Sequence, residues 1–251
     1  MRAPIFSIIT VTRNAARVLE QTILSVLNQT NSNIEFVIID GASEDGTVDI
    51  IKRYQSGINY WISEPDKGIY EAMNKGLEAA TGDYVWFLNA GDVLKHNEIV
   101  AELTEISKYY THPDIIYGET DLMDQNGHVF AERRLKAPEK LTWKSFRMGM
   151  LVCHQAFIAK RLVMPTFNVL YRFSADFEWC IRCMKRADMI VNSRLRLVNY
   201  LYTGLTTANR KQSLKERYAI MCEYYGKFAA SIAHGWFVCR YLWAKLTNKT
   251  L

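Results

Sequence analysis

The first 95 residues repeat one alternation, and nothing else in the chain constrains its fold so tightly. Short runs of β-branched and aromatic residues, "IFSIITVT" (5–12), "IEFVIID" (34–40), "INYWIS" (58–63) and the opening of "YVWFLNAGDVL" (84–94), have the length and composition of buried strands. Between them lie stretches with helical period. "AARVLEQTILSVLNQ" (15–29) places Val18, Leu19, Ile23, Val26 and Leu27 on one face. "SEDGTVDIIKRYQ" (43–55) offers Ser43 as a helix N-cap, and "GIYEAMNKGLEAA" (68–80) supplies a third helix. Three β-α units ending on a fourth strand predict an open, mostly parallel sheet with helices on both faces. In such sheets ligands gather outside the carboxyl ends of the strands. Three of those ends carry polar chemistry: Thr12-Arg13-Asn14, Asp40-Gly41 and Asn89-Ala90-Gly91-Asp92.

The second half is less regular. "DIIYGETDLM" and "GHVFAERRL" read as strands around a turn at 124–127, "CHQAFIAKR" (153–161) as a possible strand, and "MIVNSRLRLVNYLY" (189–202) as another. "SADFEWCIRCMKR" (174–186) opens with acids and closes with bases, the order a helix dipole favours. Two further helices follow, over 212–225 and about 229–246. With no linker in view, residues 1–210 read as one catalytic domain, with halves 1–95 and 96–210, and 211–251 as a helical extension.

Charge divides along the same line. Residues 1–126 hold 9 Lys/Arg against 19 Asp/Glu, and residues 127–251 hold 22 against 7, so the halves carry about −10 and +15. Either they neutralise each other within one globule, or the second half meets an anionic partner. The opening residues lack the features of a signal peptide, and no apolar run reaches the ~18 residues of a bilayer span. Five cysteines suit reduced, cytosolic thiols. Cys180 and Cys183 have the spacing of half a zinc site without a second pair, and read as two buried thiols.

The blocks "FSIITVTRN", "EFVIIDGASEDGT", "SEPDKGIYEAMNKGLEAATGDYVWFLNAGD" and "CHQAFI…SADFEWCIR", in this order over residues 5–186, resemble the family 2 glycosyltransferases. The match is close to bacterial enzymes that build exopolysaccharide or O-antigen units. The resemblance implies a GT-A fold, inverting transfer from a nucleotide-sugar donor such as a UDP-sugar, and a divalent cation, Mg²⁺ or Mn²⁺. No nucleic-acid partner is expected.

Individual residues then take expected roles beside their plainer readings. Asp40 is either an Asx-turn residue before Gly41 or an acceptor for the nucleotide; the resemblance implies the latter, with the Thr12-Arg13-Asn14 tip beside it. Asp66, Lys67 and Asn74 are either loop and solvated helix residues or donor contacts, with Lys67 offering charge to phosphate. Family members carry an Asp-rich motif at the fourth strand tip. This chain keeps only Asp92 as metal ligand, with Asn89 able to add a neutral oxygen, so cation binding without nucleotide should be weak. Asp176 is either a dipole-stabilised helix acid or, by resemblance, the base that takes the acceptor hydroxyl proton. Glu178 is the reserve candidate. His154 is a structural histidine or lies near the acceptor or diphosphate. Arg210 heads a basic cluster (Arg210, Lys211, Lys215, Arg217) that is a solvated helix start or a clamp for a diphosphate.

The final stretch, "FAASIAHGWFVCRYLWAKLTNKTL", mixes aromatic and basic residues as an interfacial helix on an anionic membrane does; a helix packed on the domain is the plainer reading. The expected activity is transfer of a sugar to a hydroxyl of a growing, lipid-linked surface glycan at the inner face of the cell membrane. A nucleotidyltransferase would need a glycine-rich loop after the first strand, and "VTRNAARVLE" has none. A non-catalytic binding protein with a thinned acid motif is the other alternative.

Overall fold

The computed structural model describes residues 3–202 and 210–246; the side chains of Arg210, Val238, Arg240 and residues 241–246 lie outside the description. The alternation is realised as β1 (Phe6–Thr12), α1 (Leu19–Leu27), β2 (Ile34–Asp40), α2 (Thr47–Arg53), β3 (Tyr60–Ser63), α3 (Ile69–Ala79) and β4 (Tyr84–Phe87). All seven residues of β1 and all four of β4 are buried, as central strands covered on both faces must be. The remaining strands and α-helices are β5 (Val93–Leu94), α4 (Ile99–Tyr109), β6 (Ile115–Met123), β7 (Val129–Glu132), β8 (Phe157–Lys160), α5 (Ala175–Arg186), β9 (Ile190–Leu201), α6 (Arg210–Tyr225) and α7 (Lys227–Leu246), and a short 3-10 turn, His154–Ala156, leads into β8.

One sheet runs in the order β3-β2-β1-β4-β8-β6-β9-β5, with β7 added on β6. The strands β3, β2, β1 and β4 pair in parallel, as do β6 and β9. Antiparallel joints attach β8, β5 and β7. Because β2 and β3 build outward from one side of β1 and β4 lies on the other, the chain reverses its winding between β1 and β4. That switch point opens a crevice beyond the strands' carboxyl ends. α3 lies close on β1: a Cβ at Gly76 would stand 2.5 Å from Ile9 Cγ2, so only glycine lets the helix settle there.

Two expectations change. Ser43 does not cap a helix; α2 starts four residues later behind Gly46 (φ 93°), and Ser43 turns back to Asp40. α4 is absent from the elements expected above, although Ile99, Val100 and Leu103 bury one face of it. The extension is tied into the domain: Ile220, Met221, Ala230 and Ala233 join the core, and Glu216 accepts the N–H groups of Arg172 and Phe173 just before α5.

Candidate active site

The tips of β1 and β2 are fastened together. Asn14, at φ 48°, donates its N–H to Ser43 Oγ (2.7 Å) and accepts the N–H of Glu44 on Oδ1 (3.0 Å). Asp40 is fully buried. Its carboxylate accepts the Ser43 N–H (2.9 Å), the Ser43 hydroxyl (2.5 Å) and the Ser63 hydroxyl (2.6 Å). It thus closes an Asx-type turn and offers only its remaining lone pairs to a ligand. Gly41 has no side chain to separate Asp66 from this tip: a Cβ there would collide with Asp66 Oδ2 and come within 3.3 Å of Arg13 Cδ. Asp66 accepts the Gly68 N–H (2.9 Å), which shapes the turn into α3. Lys67 is exposed, with its backbone N–H on Glu71 (2.6 Å).

Asn74 has a different place from the expected donor contact. Its amide donates to the Phe167 carbonyl (3.0 Å) and accepts the Phe167 N–H (2.6 Å), so both ends are engaged by backbone. Phe167 in turn stacks on Tyr70 and Trp179, with ring centroids 5.6 Å and 4.7 Å apart. Asn74 therefore supports the aromatic layer behind Tyr70.

Asp176 stands in the first turn of α5. Its Oδ1 accepts the Tyr70 hydroxyl (3.0 Å) and its Oδ2 bonds His154 Nδ1 (3.2 Å), with both side chains about 14% and 13% exposed. A carboxylate can only accept, so Nδ1 carries the proton of this bond, and His154 Nε2 lies 3.2 Å from the Asn89 amide nitrogen. Burial pushes the Asp176 carboxyl up, but the His154 hydrogen bond and charge, Arg217 and the Tyr70 hydroxyl outweigh it and hold the group below its ordinary range. Asp176 is therefore ionised at neutral pH. Glu178, the reserve candidate, turns the other way along α5, to Tyr224 (2.9 Å) and Arg182 (2.6 Å). Within the basic cluster, Lys211 and Lys215 are exposed, while Arg217 sits over the Phe177 ring and acts on Asp176. The Arg210 side chain lies outside the described residues.

Asp92 is 2% exposed and accepts the Leu201 N–H (2.9 Å) and the Gln155 amide (3.0 Å). Burial pushes its carboxyl up to about 6 against these hydrogen bonds. Thr12 Oγ1 and Asn89 Oδ1 are both buried without a hydrogen-bond partner. Orphaned oxygens are rare inside proteins, and here one ends β1 and the other lies two residues past β4, on either side of the switch point. Among the described residues no group of three His, Cys, Asp or Glu side chains could hold a cation alone. The carboxylate of Asp92 and the orphaned Asn89 oxygen suit a hard cation that arrives with phosphate oxygens and water.

Two residues here escaped the sequence reading. Tyr70 reaches Asp176 across 106 positions, and Tyr200 lies in the field of Cys153, Asp92 and Asp176, its phenol ionisation disfavoured mainly by burial. Neither has a local signal, because only the folded sheet brings α3, α5 and the end of β9 together.

The Glycosyl transferase family 2 model matches residues 7–169. A PGL/p-HBAD biosynthesis glycosyltransferase of Mycobacterium bovis is 32% identical over 199 residues, which cover 76% of this chain and 73% of that protein. The putative teichuronic acid biosynthesis glycosyltransferase TuaG of Bacillus subtilis is 34% identical over 145 residues, 56% of each chain. Among solved structures, S. aureus TarS 1-349 in complex with UDP superposes with a TM-score of 0.69 at 16% identity, over 91% of this chain and 69% of that one. The same protein with UDP-GlcNAc gives 0.68 at 18%, over 86% and 64%. This chain spans 43% of the longer TarS chain. At such identities the likeness shows a common fold, the GT-A architecture of a central sheet with flanking helices. By the family match and the shared identity, this chain is a member of glycosyl transferase family 2.

Proposed function

We propose that the protein transfers a sugar, with inversion, from a nucleotide-sugar donor to a hydroxyl of a growing cell-surface glycan, with Asp176 as the base. The observation that carries this reading is the Tyr70–Asp176–His154 arrangement. It holds an ionised, slightly accessible carboxylate next to the Asn89–Asp92 tip. As an acceptor hydroxyl attacks the anomeric carbon its proton must leave, and Asp176 is the group placed to take it. Tyr70 and His154 occupy one lone-pair direction on each oxygen, so the carboxylate keeps its orientation while a free lone pair accepts the proton.

The donor would lie across the switch point. Its nucleoside would meet Thr12, Arg13, Asn14, Asp40 and Asp66, and its diphosphate Asn89 and Lys67. UDP in the TarS complexes supports a UDP-sugar. Asp92 and Asn89 are the residues that would hold Mg²⁺ or Mn²⁺, whose chemistry when bound is to neutralise charge on the leaving diphosphate. The names of the relatives support a surface glycan, and a lipid-linked acceptor fits the basic second half. Among the described residues no helix is long and apolar enough to cross a membrane. On α7, however, Phe228, Ile232 and Trp236 are exposed at 82%, 59% and 53%. Spaced four apart, they form one apolar stripe that suits peripheral contact with the inner face of the cell membrane. Residues 1–210 would then do the chemistry and 211–251 the docking. Family membership favours glycosyl over nucleotidyl transfer.

The test is transfer from UDP-sugars to a lipid-linked acceptor extract, with the product's anomeric configuration read by NMR. A product inverted relative to the donor is expected. A retained configuration, or no transfer from any UDP-sugar that the protein binds, overturns the proposal.

A further inference from the structure

Two tyrosines stand at the end of β9, Tyr200 within the strand and Tyr202 one residue past it. Tyr200 lies in the field of Asp92 and Asp176, and the neighbouring Leu201 N–H holds Asp92 itself. The Tyr202 N–H bonds the Met123 carbonyl (2.8 Å), which ties it to the end of β6. Across from it, the pairing of β6 with β7 slips: Leu122 faces Ala131 and Met123 faces Val129. Phe130 is therefore the extra residue of a β-bulge, a device that re-aims a side chain, often beside an active site. It is aimed at Tyr202. The two rings meet edge to face, with centroids 6.0 Å apart at 72°, and are 56% and 45% exposed. Such a pair covers an edge of one ring and one face of the other, and leaves the remaining faces open.

We infer that Phe130 and Tyr202 form a stacking subsite for a pyranose ring of the acceptor saccharide, just past the strand end whose Leu201 N–H holds Asp92. This rests on the glycosyl-transfer reading and adds where the acceptor is gripped. A pyranose has a face of C–H bonds, weakly positive, and a rim of hydroxyls. The open face of an aromatic ring is weakly negative and apolar, so it takes the C–H face and leaves the rim hydrated. Two rings give roughly the area of one sugar. Exposed Asn126 and His128 edge the hairpin with hydrogen-bonding groups, and Glu132 beside them is paired with Lys136 and Arg196, a polar rim that suits a polyhydroxyl ligand better than an acyl chain.

The test uses the full chain with UDP and a panel of methyl pyranosides in both anomeric forms. Saturation-transfer NMR should mark the C–H protons of one pyranoside face in the wild type. That signal should fall at least about five-fold, the scale of one lost aromatic contact, in Phe130→Ala and in Tyr202→Ala, and persist in Tyr202→Phe. Melting temperatures should match throughout. Full transfer in the alanine variants, or no pyranoside marked in any protein, overturns the subsite. So does loss of liposome binding in the variants without loss of pyranoside contact, which would make the pair a membrane contact. Calorimetric UDP binding separates the two levels. Its absence in the wild type sinks the reading of transfer from a UDP-sugar, whereas its presence beside unaltered pyranoside contact sinks this subsite alone.

Discussion

Asp176 and Glu178 lie two residues apart on one helix and face opposite demands. Asp176 is turned to Tyr70 and His154 at the sheet's carboxyl edge, and Glu178 to Tyr224 and Arg182 in the packing against α6. Asp176→Asn preserves shape and removes the proton acceptor. Transfer should fall by ~10²–10⁴, the range of a lost general base, with UDP affinity changed only a few-fold. Glu178→Gln should leave turnover nearly intact and lower stability by about 1–3 kcal/mol, because Arg182 loses its charged partner. Steady-state transfer and chemical denaturation of the two variants decide it. Wild-type turnover in Asp176→Asn would remove the base assignment. Both acids are visible in the sequence at a helix start, yet their roles differ by the direction of each side chain, which depends on what packs around α5.

At the scale of elements, α7 is two-faced. Ala230 and Ala233 are buried in the core, while Phe228, Ile232 and Trp236 look outward. Cutting the chain after Tyr225 would therefore expose core as well as remove the stripe, and is a poor test of docking. Replacing the three outward residues with serine leaves the buried alanines in place. The triple variant should lose co-sedimentation with anionic liposomes and keep the wild-type melting temperature. Salt should weaken wild-type binding only in part, since apolar burial contributes beside charge. Unchanged sedimentation of the variant would rule this stripe out as the membrane contact. The aromatic and basic composition of the segment is plain in the sequence; which of its residues face out is set by the core it meets.

At the scale of the whole molecule, Asp92 links site and stability. Burial lifts its carboxyl from an ordinary 3.8 to about 6, so the folded chain keeps a proton that the unfolded chain has released. Between those values the folded state binds more protons, and this residue's contribution to stability falls as pH rises. Above about 6 the full cost of burying the charge is present, roughly 3 kcal/mol at 1.36 kcal/mol per unit. Asp176 runs the opposite way: its depressed carboxyl favours the fold above its ordinary range and loses that contribution as pH falls. Calorimetric melts of Asp92→Asn and wild type should therefore converge near pH 4 and diverge toward pH 7, with the variant gaining on the wild type. Cation-assisted UDP binding should strengthen as pH rises through about 6. Parallel melting curves would show that Asp92 is not a buried charge of this kind. The sequence alone determined the β-α order from β1 to β4, because hydrophobic period is a local property, and it marked the strand tips, because a buried apolar run must end where polar residues begin. It also marked Asp92 as an acid at such an end and Asp176 as an acid at a helix start. Only the tertiary structure decided that Asn74 fastens Phe167, that Asp40 is spent largely on Ser43 and Ser63, and that Tyr70 and Tyr200 belong to the site. These facts rest on contacts between residues far apart in the chain, and a side chain's direction is fixed by what it meets there.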